Sequence, residues 1–198
     1  MPNIIQKLFQ KTPMSSATSA YEFFLENDTL PASPRILDLG TGGGHGARYL
    51  QARIPDGLVL GIDLAYECAR PPGGLHEPPY FIQGDALALP MAESSLDAVI
   101  AVMAFHCLPE PERIIREAVR TLRPGGKLLI ADVNGEHWMA RPFEWVEHWF
   151  ISPLTRAYTV DQVRGMMSAA GLTGFQMRRR PGKENGFMQW MSARKPPA

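Results

Sequence analysis

Four side chains in this 198-residue sequence stand where a small molecule could be held or attacked: Asp38, Asp63, Asp85 and His106. The three acids close, or nearly close, apolar runs: Ile36-Leu37-Asp38-Leu39, Leu58-Val59-Leu60-Gly61-Ile62-Asp63 and Phe81-Ile82-Gln83-Gly84-Asp85. After the first run comes Gly40-Thr41-Gly42-Gly43-Gly44-His45-Gly46. A strand that ends in a glycine turn and feeds a helix lets a ligand lie directly against the backbone. Such a turn suits any adenosine-containing cofactor, and without a ligand it is simply a tight strand-to-helix connection. A nicotinamide or flavin site wants G-x-G-x-x-G/A, the third small residue letting the helix pack on the strand. Here that third position is His45 and the glycines run G-x-G-x-G. The acid ahead of them, Asp38, suits a cofactor with a free amino group more than one with a pyrophosphate. Asp63, ~20 residues on, can accept both hydroxyls of a ribose. His106 is the candidate general base, because an imidazole takes a proton near neutral pH. Its competing reading is a core or lid histidine bonded to backbone. Cys107 reads as a buried apolar residue, and His45 as a local cap or packing group.

These residues need a scaffold, and the periodicity supplies one. Residues 15–27 place Ala17, Ala20, Tyr21, Phe24 and Leu25 at helical spacing. Apolar runs then alternate with helix-compatible stretches as far as Asp132, the pattern of a parallel sheet with helices on both faces. The segment 110–122 carries Ile114, Ile115, Ala118, Val119 and Leu122 on one helix face, with Pro111 near its start and Pro124 stopping it. Thr159 and Gln162 have capping-box spacing, with Val163, Met166, Met167 and Ala170 inward and Gly171 as terminator. Residues 174–179 and 186–193 read as two closing strands joined by a Pro-Gly-Lys-Glu-Asn-Gly turn. Residues 1–14 lack clear periodicity and read as a loose arm or short helix.

The ordered set Asp38–Gly44, Asp63, Asp85-Ala86, Leu96–Val102 and Leu122-Arg123-Pro124-Gly125-Gly126-Lys127 resembles the motifs of the class I S-adenosylmethionine-dependent methyltransferases, in their small-molecule (type 11, UbiE-like) branch. The resemblance covers residues 35–132 closely and 159–194 more loosely. It implies one α/β domain over 1–198: a Rossmann-like, seven-stranded, mostly parallel sheet flanked by helices, with the last strand antiparallel. It implies S-adenosylmethionine as cofactor. Asp38 would sit near the methionine amino group, Gly40, Gly42 and Gly44 would bring backbone against the cofactor, and Asp63 would hold the ribose. Leu64 would pack beside the adenine, Asp85 and the Ala86 amide would face its edge, and the Ala101 carbonyl would lie near the ammonium. The segments 1–30 and 133–158 would cover the acceptor. The second holds Trp138, Trp145, Trp149, Phe143, Phe150 and Tyr158. Aromatic walls suit a planar or apolar acceptor, so Phe105, Trp145 and Trp149 are its expected contacts. The alternative for the tryptophans is a packing stripe, four residues apart.

One stretch departs from this pattern. Pro71-Pro72-Gly73-Gly74 and Pro78-Pro79 interrupt the helix expected over 65–78, leaving at most one turn from Ala65 to Arg70. Glu77-Pro78-Pro79-Tyr80 resembles a motif of enzymes that methylate exocyclic base nitrogens, but it precedes the third strand rather than following the fourth.

Composition sets the outer limits. Formal net charge is zero, so no global field draws nucleic acid or an anionic membrane. Arg178-Arg179-Arg180 reads as a solvated strand edge. Cys68 and Cys107 lack C-x-x-C spacing, against a zinc knuckle, a metal site or a disulfide scaffold. No secretory signal and no membrane-length apolar run is evident, so the expected location is the cytoplasm; the oligomeric state is left open. Three functions fit: methyl transfer to oxygen, nitrogen or carbon of a small molecule, a cofactor-binding interaction module without turnover, and a nicotinamide-dependent oxidoreductase. His45, Asp85-Ala86 and the Pro-Gly-Gly turn argue against the last.

Overall fold

The structure, a computed structural model, describes residues 15–65, 78–150, 152–178 and 186–197. The arm 1–14, the turn expected from Ala65 to Arg70 beyond Ala65 itself, Cys68, Pro71–Gly74, Arg179-Arg180 and the turn before Gly186 lie outside the described residues.

Strands β1 (Arg35–Leu39), β2 (Leu58–Asp63), β3 (Tyr80–Gln83), β4 (Leu96–Val102), β5 (Leu122–Val133), β6 (Thr173–Arg178) and β7 (Met188–Arg194) form one seven-stranded sheet in the order β3-β2-β1-β4-β5-β7-β6. Strands β1 to β5 are parallel and β7 runs antiparallel between β5 and β6. The expected architecture therefore forms, with the antiparallel strand last in the chain.

Alternation along the strands explains the two-sided core. Leu37, Leu39, Val99, Ala101, Leu128 and Ile130 point to one face, against Ile114, Ile115 and Ala118 of helix α3 (Pro111–Thr121) and Val163 and Met167 of helix α5 (Val160–Ala169). Ile36, Ala98, Ile100, Leu129 and Ala131 point to the other, against Ala20, Tyr21 and Phe24 of helix α1 (Ser15–Asn27) and Ala47 and Leu50 of helix α2 (His45–Arg53). Gly46 sets how closely these last two helices meet. A Cβ there would lie 2.1 Å from the Tyr21 hydroxyl oxygen, so only glycine admits the ring.

The helix ends follow local chemistry. Thr159 accepts from the Gln162 amide, and the Gln162 side chain accepts from the Thr159 amide, completing the capping box. Pro111 opens α3 at its first turn. The Pro-Gly-Gly turn is not a separate break: residues 122–133 form a single strand with an irregular register against Leu96–Ala98. Lys195 holds that junction, its Nζ donating to the Val119 and Leu122 carbonyls. Helix α4 (Ala140–Phe150) lies within the stretch expected to cover the acceptor. No helix of the described residues is long and apolar enough to cross a membrane.

Candidate functional site

Strand order reverses between β1 and β4, and ligands of open α/β sheets bind at the carboxyl ends of strands at such a point. A cavity of about 400 Å³ opens there. Of the residues expected to hold the cofactor, Gly40, Gly42, Asp63, Leu64, Asp85 and Ala86 line it, with Leu39, Ile62, Met103, Ala104, Cys107 and Leu108 completing much of the wall.

Each part of that wall has a local cause. Gly40, Gly42 and Gly44 have φ of 71°, 52° and 73°, the left-handed region that glycine alone enters without strain. A Cβ on Gly40 would lie 2.5 Å from the Ala104 Cβ, and one on Gly44 2.5 Å from the Phe81 ring. The turn is therefore pressed against its neighbours and offers backbone to the cavity. Asp63 ends β2 with both oxygens accepting backbone amides, Gly42 N–H at 2.9 Å and Ala65 N–H at 3.0 Å. Asp85 accepts the Leu87 amide at 2.9 Å, fixing a turn after β3. Met103, just past β4, has φ of 51°, a non-glycine in the left-handed region at the cavity wall. Strain of this kind concentrates at functional sites.

Asp38 lies beneath the turn and is 1% exposed. The Tyr21 hydroxyl donates to one oxygen at 2.8 Å and the Thr41 hydroxyl to the other at 2.7 Å. Burial pushes its carboxyl up to about 6, against the hydrogen bonds from Thr41, Tyr21 and the Ala47 amide that favour the anion. Tyr21 in turn is held well above the usual phenol range by burial and by the Asp38 charge. Sequence reasoning placed Tyr21 only in an apolar stripe; its phenol on a buried acid has no signature in the spacing.

His106 sits beside the cavity wall on a short 3₁₀ turn, Phe105–Cys107. Its Nδ1 is 2.6 Å from Asp132 Oδ1 and its Nε2 2.9 Å from Glu147 Oε2. The His106 amide donates to Asp132 Oδ2 at 3.0 Å. Cys107 Sγ donates to Glu147 at 3.5 Å and lies 3.6 Å from Thr155 Oγ1. Burial works against a charge on the imidazole, but the Asp132 carboxylate beside it, with hydrogen bonds involving Asp132, Cys107 and Glu147, pushes it up to about 12. An imidazolium held between two carboxylates would donate from both nitrogens and have no lone pair with which to take a proton, which favours the buried, hydrogen-bonded histidine over the base. The alternative, a buried histidine held by hydrogen bonds, matches the geometry, with carboxylates rather than backbone as partners. Glu147 is the residue the sequence concealed. It stands among tryptophans in α4, and nothing in the spacing pairs it with a histidine 41 positions earlier.

Asp38 and Gly44 lie behind the lining rather than in it, and the remaining expected residues do not reach the cavity. Ala101 is 1% exposed within β4, its side chain in the core. Phe105 packs into the core beside the Tyr158 ring, centroids 5.4 Å apart. Trp145 and Trp149 are 66% and 70% exposed on the outer side of α4. The cause is Glu147: turned inward to His106, it fixes the helix rotation that sends both tryptophans outward.

The cavity fits a cofactor with a diol, a heteroaromatic ring and a cationic end. Asp63 offers a carboxylate at its rim, Ile62, Leu64 and Met103 offer apolar surface, and the buried Asp38 has neutral donors as partners, leaving its charge for a cation. The fold is that of the class I methyltransferases. Residues 37–130 match the methyltransferase domain family, and this part of the chain is a methyltransferase domain. Over 138 residues the chain is 36% identical to phthiotriol/phenolphthiotriol dimycocerosates methyltransferase 1 of Mycobacterium ulcerans, spanning 67% of this chain and 50% of that protein. It is 34% identical over 142 residues to the fatty-acid O-methyltransferase of Mycolicibacterium smegmatis, spanning 67% of this chain and 49% of the other. The chain thus spans about half the length of these curated relatives. Among solved structures, the methyltransferase in complex with the Haloferax volcanii Trm112 methyltransferase activator superposes with a TM-score of 0.78 at 20% identity, covering 98% of this chain and 93% of that one. That likeness speaks for the fold.

Proposed function

We propose that this chain, working in the cytoplasm, transfers a methyl group from S-adenosylmethionine to a small-molecule acceptor with a long apolar part, a lipid or fatty-acyl compound. The single observation that carries the cofactor is the pairing of Asp63 with the Gly42 amide at the cavity rim, above the buried Asp38. The acceptor class rests on the two relatives named for lipid and fatty-acid methylation.

S-adenosylmethionine supplies a methyl carbon bonded to a positive sulfur. Transfer of that methyl to the acceptor atom would break the carbon–sulfur bond and leave the electron pair on sulfur as a neutral thioether. An ionised carboxylate acceptor has no proton to lose, so no base is required. The protein's contribution is alignment and exclusion of water, worth roughly 7–11 kcal/mol of barrier when reactants are held in near-attack geometry. Gly40, Gly42 and Gly44 bring backbone against the cofactor, Asp38 draws its cationic end, and Asp63 orients the ribose. Leu64, Asp85 and the Ala86 amide would hold the adenine; Ala101, which does not reach the cavity, is left without a role. His106 is a positioning residue: through Glu147 it holds α4 over the acceptor side.

The test is calorimetric titration with S-adenosylmethionine and with NADH, followed by radiolabelled methyl transfer to fatty acids of graded chain length. Micromolar-scale binding of S-adenosylmethionine, roughly −8 kcal/mol, no response to NADH and labelled ester support the reading. Binding without labelled product from any acceptor indicates the interaction module instead. Saturable binding of NADH alone overturns it.

A further inference from the structure

Helix α4 is built inside out. Set on a helical wheel at 100° per residue, the side turned to the protein carries Ala140, Phe143 and Glu147, while Trp145 and Trp149 stand opposite, toward water. Trp138, just ahead of the helix, is 78% exposed, and Leu154, just after it, 54%. Isolated exposed apolar residues are ordinary, but three tryptophans in twelve positions of sequence are a patch.

The charges on the same helix are sorted as sharply. Both acids of α4 are engaged on the protein side: Glu147 is 4% exposed and bonded to His106, and Glu144 accepts the Ala157 amide at 2.5 Å. Its basic residues, Arg141 and His148, are both exposed, on the shoulder of the tryptophan stripe, and Arg156 is exposed just beyond. Glu136 is the exposed acid ahead of Trp138. A surface of tryptophan flanked by the exposed Arg141 and Arg156, with both carboxylates of α4 turned to the protein, matches the interfacial region of an anionic bilayer. Indole rings settle at headgroup depth and arginine meets the phosphate.

We infer that α4 and its flanks form a membrane-docking face that seats this protein on an anionic phospholipid surface. The face lies on the helix that His106 fixes over the acceptor side, so docking would bring the bilayer next to that opening. The inference does not rest on methyl transfer, since it concerns the outer side of α4 and not the cavity.

The full chain is sedimented with phosphatidylcholine vesicles and with vesicles of equal parts phosphatidylcholine and phosphatidylglycerol, with tryptophan emission recorded. The expected result is co-sedimentation with the anionic vesicles and a blue shift. The paired substitution Trp145→Ser with Trp149→Ser should weaken binding about tenfold or more. The pair Arg141→Glu with Arg156→Glu should abolish the preference for anionic lipid. Because these side chains are exposed, thermal melts and calorimetric affinity for S-adenosylmethionine check that each variant is folded. Failure to bind either vesicle, or unchanged binding by the tryptophan pair, overturns the inference while leaving cofactor binding intact. So does tryptophan emission already shielded from iodide in the free chain, which would mean that residues 1–14 or a second copy cover the face.

Discussion

Beneath the glycine turn, Asp38 is buried with two hydroxyls and an amide as partners; on the other side of β4, His106 is buried between two carboxylates. The first arrangement leaves an acid under-compensated, with its carboxyl lifted to about 6. The second over-compensates a base, lifting it to about 12. A carboxylate short of cation is a binding device, since it gains most when a positive ligand arrives. An imidazolium saturated by anions is a fastening, since nothing further can be offered to it. Under the proposed function the first side would hold a ligand, while the second holds a helix.

Removing the fastening should have the largest effect. His106→Ala leaves Asp132 and Glu147 buried without their cation, and breaking a buried pair in this way costs about 3–5 kcal/mol. Urea unfolding at pH 7 measures it. The folded ring, raised above its unfolded value, contributes stability fully present below about 6.5 and lost progressively as pH climbs from there to about 12. Between pH 7 and 9 the folded state holds one more proton than the unfolded state, so the advantage of wild type over His106→Ala should shrink by about 1.4 kcal/mol per pH unit. In the more conservative His106→Gln, turnover per folded molecule should change less than tenfold; a fall of ~10²-fold or more would restore the role of base.

On the ligand side, Asp63→Ala should weaken S-adenosylmethionine binding by about 1.5–3 kcal/mol, the scale for hydrogen bonds to a charged group, with an unchanged melting curve. Unaltered calorimetric affinity would place the ribose elsewhere. Asp38 gives a pH signature. An acid whose folded pKa lies above its unfolded one favours the fold fully below about 3.8 and loses that contribution as pH rises through about 6. Asp38→Asn should thus stabilise the free protein near neutrality, by up to about 3 kcal/mol for a shift of this size. Cofactor affinity in the wild type should fall as pH drops through 6, and in Asp38→Asn it should be weak and flat. The smallest effect is Tyr21→Phe, about 1 kcal/mol in stability for one hydrogen bond. It should move the acidic shoulder of cofactor binding to higher pH, because a donor to the anion is gone.

The ligand side was legible in the sequence and the fastening was not. A glycine turn between a buried strand and a helix is written in adjacent residues, and the carboxylates at the ends of β1 and β2 follow from where the apolar runs stop. Asp63 on the Gly42 amide needs only the parallel pairing of neighbouring strands. His106, Asp132 and Glu147 come from three elements whose separations carry no rule. The four-residue spacing of Trp145 and Trp149 puts them on one helix side but does not say whether that side faces in. The pairing of Glu147 with His106 turns it outward. The broken crossover after Asp63 was visible as proline and glycine, yet Asp63 keeps its place because its partners are backbone amides on either side of it.

Gly46 lets the Tyr21 ring in, and Tyr21 reaches Asp38. The amino-terminal helix and the cofactor site therefore share one carboxylate, and two events that draw on the same group are thermodynamically linked. Whatever strengthens the seating of α1 changes the readiness of Asp38 to meet a cation, and by reciprocity the arrival of a cation changes the seating of α1 by the same factor. Helix α1 is thus a reporter of occupancy, and amide hydrogen exchange within residues 15–27 should slow or quicken when the cavity fills.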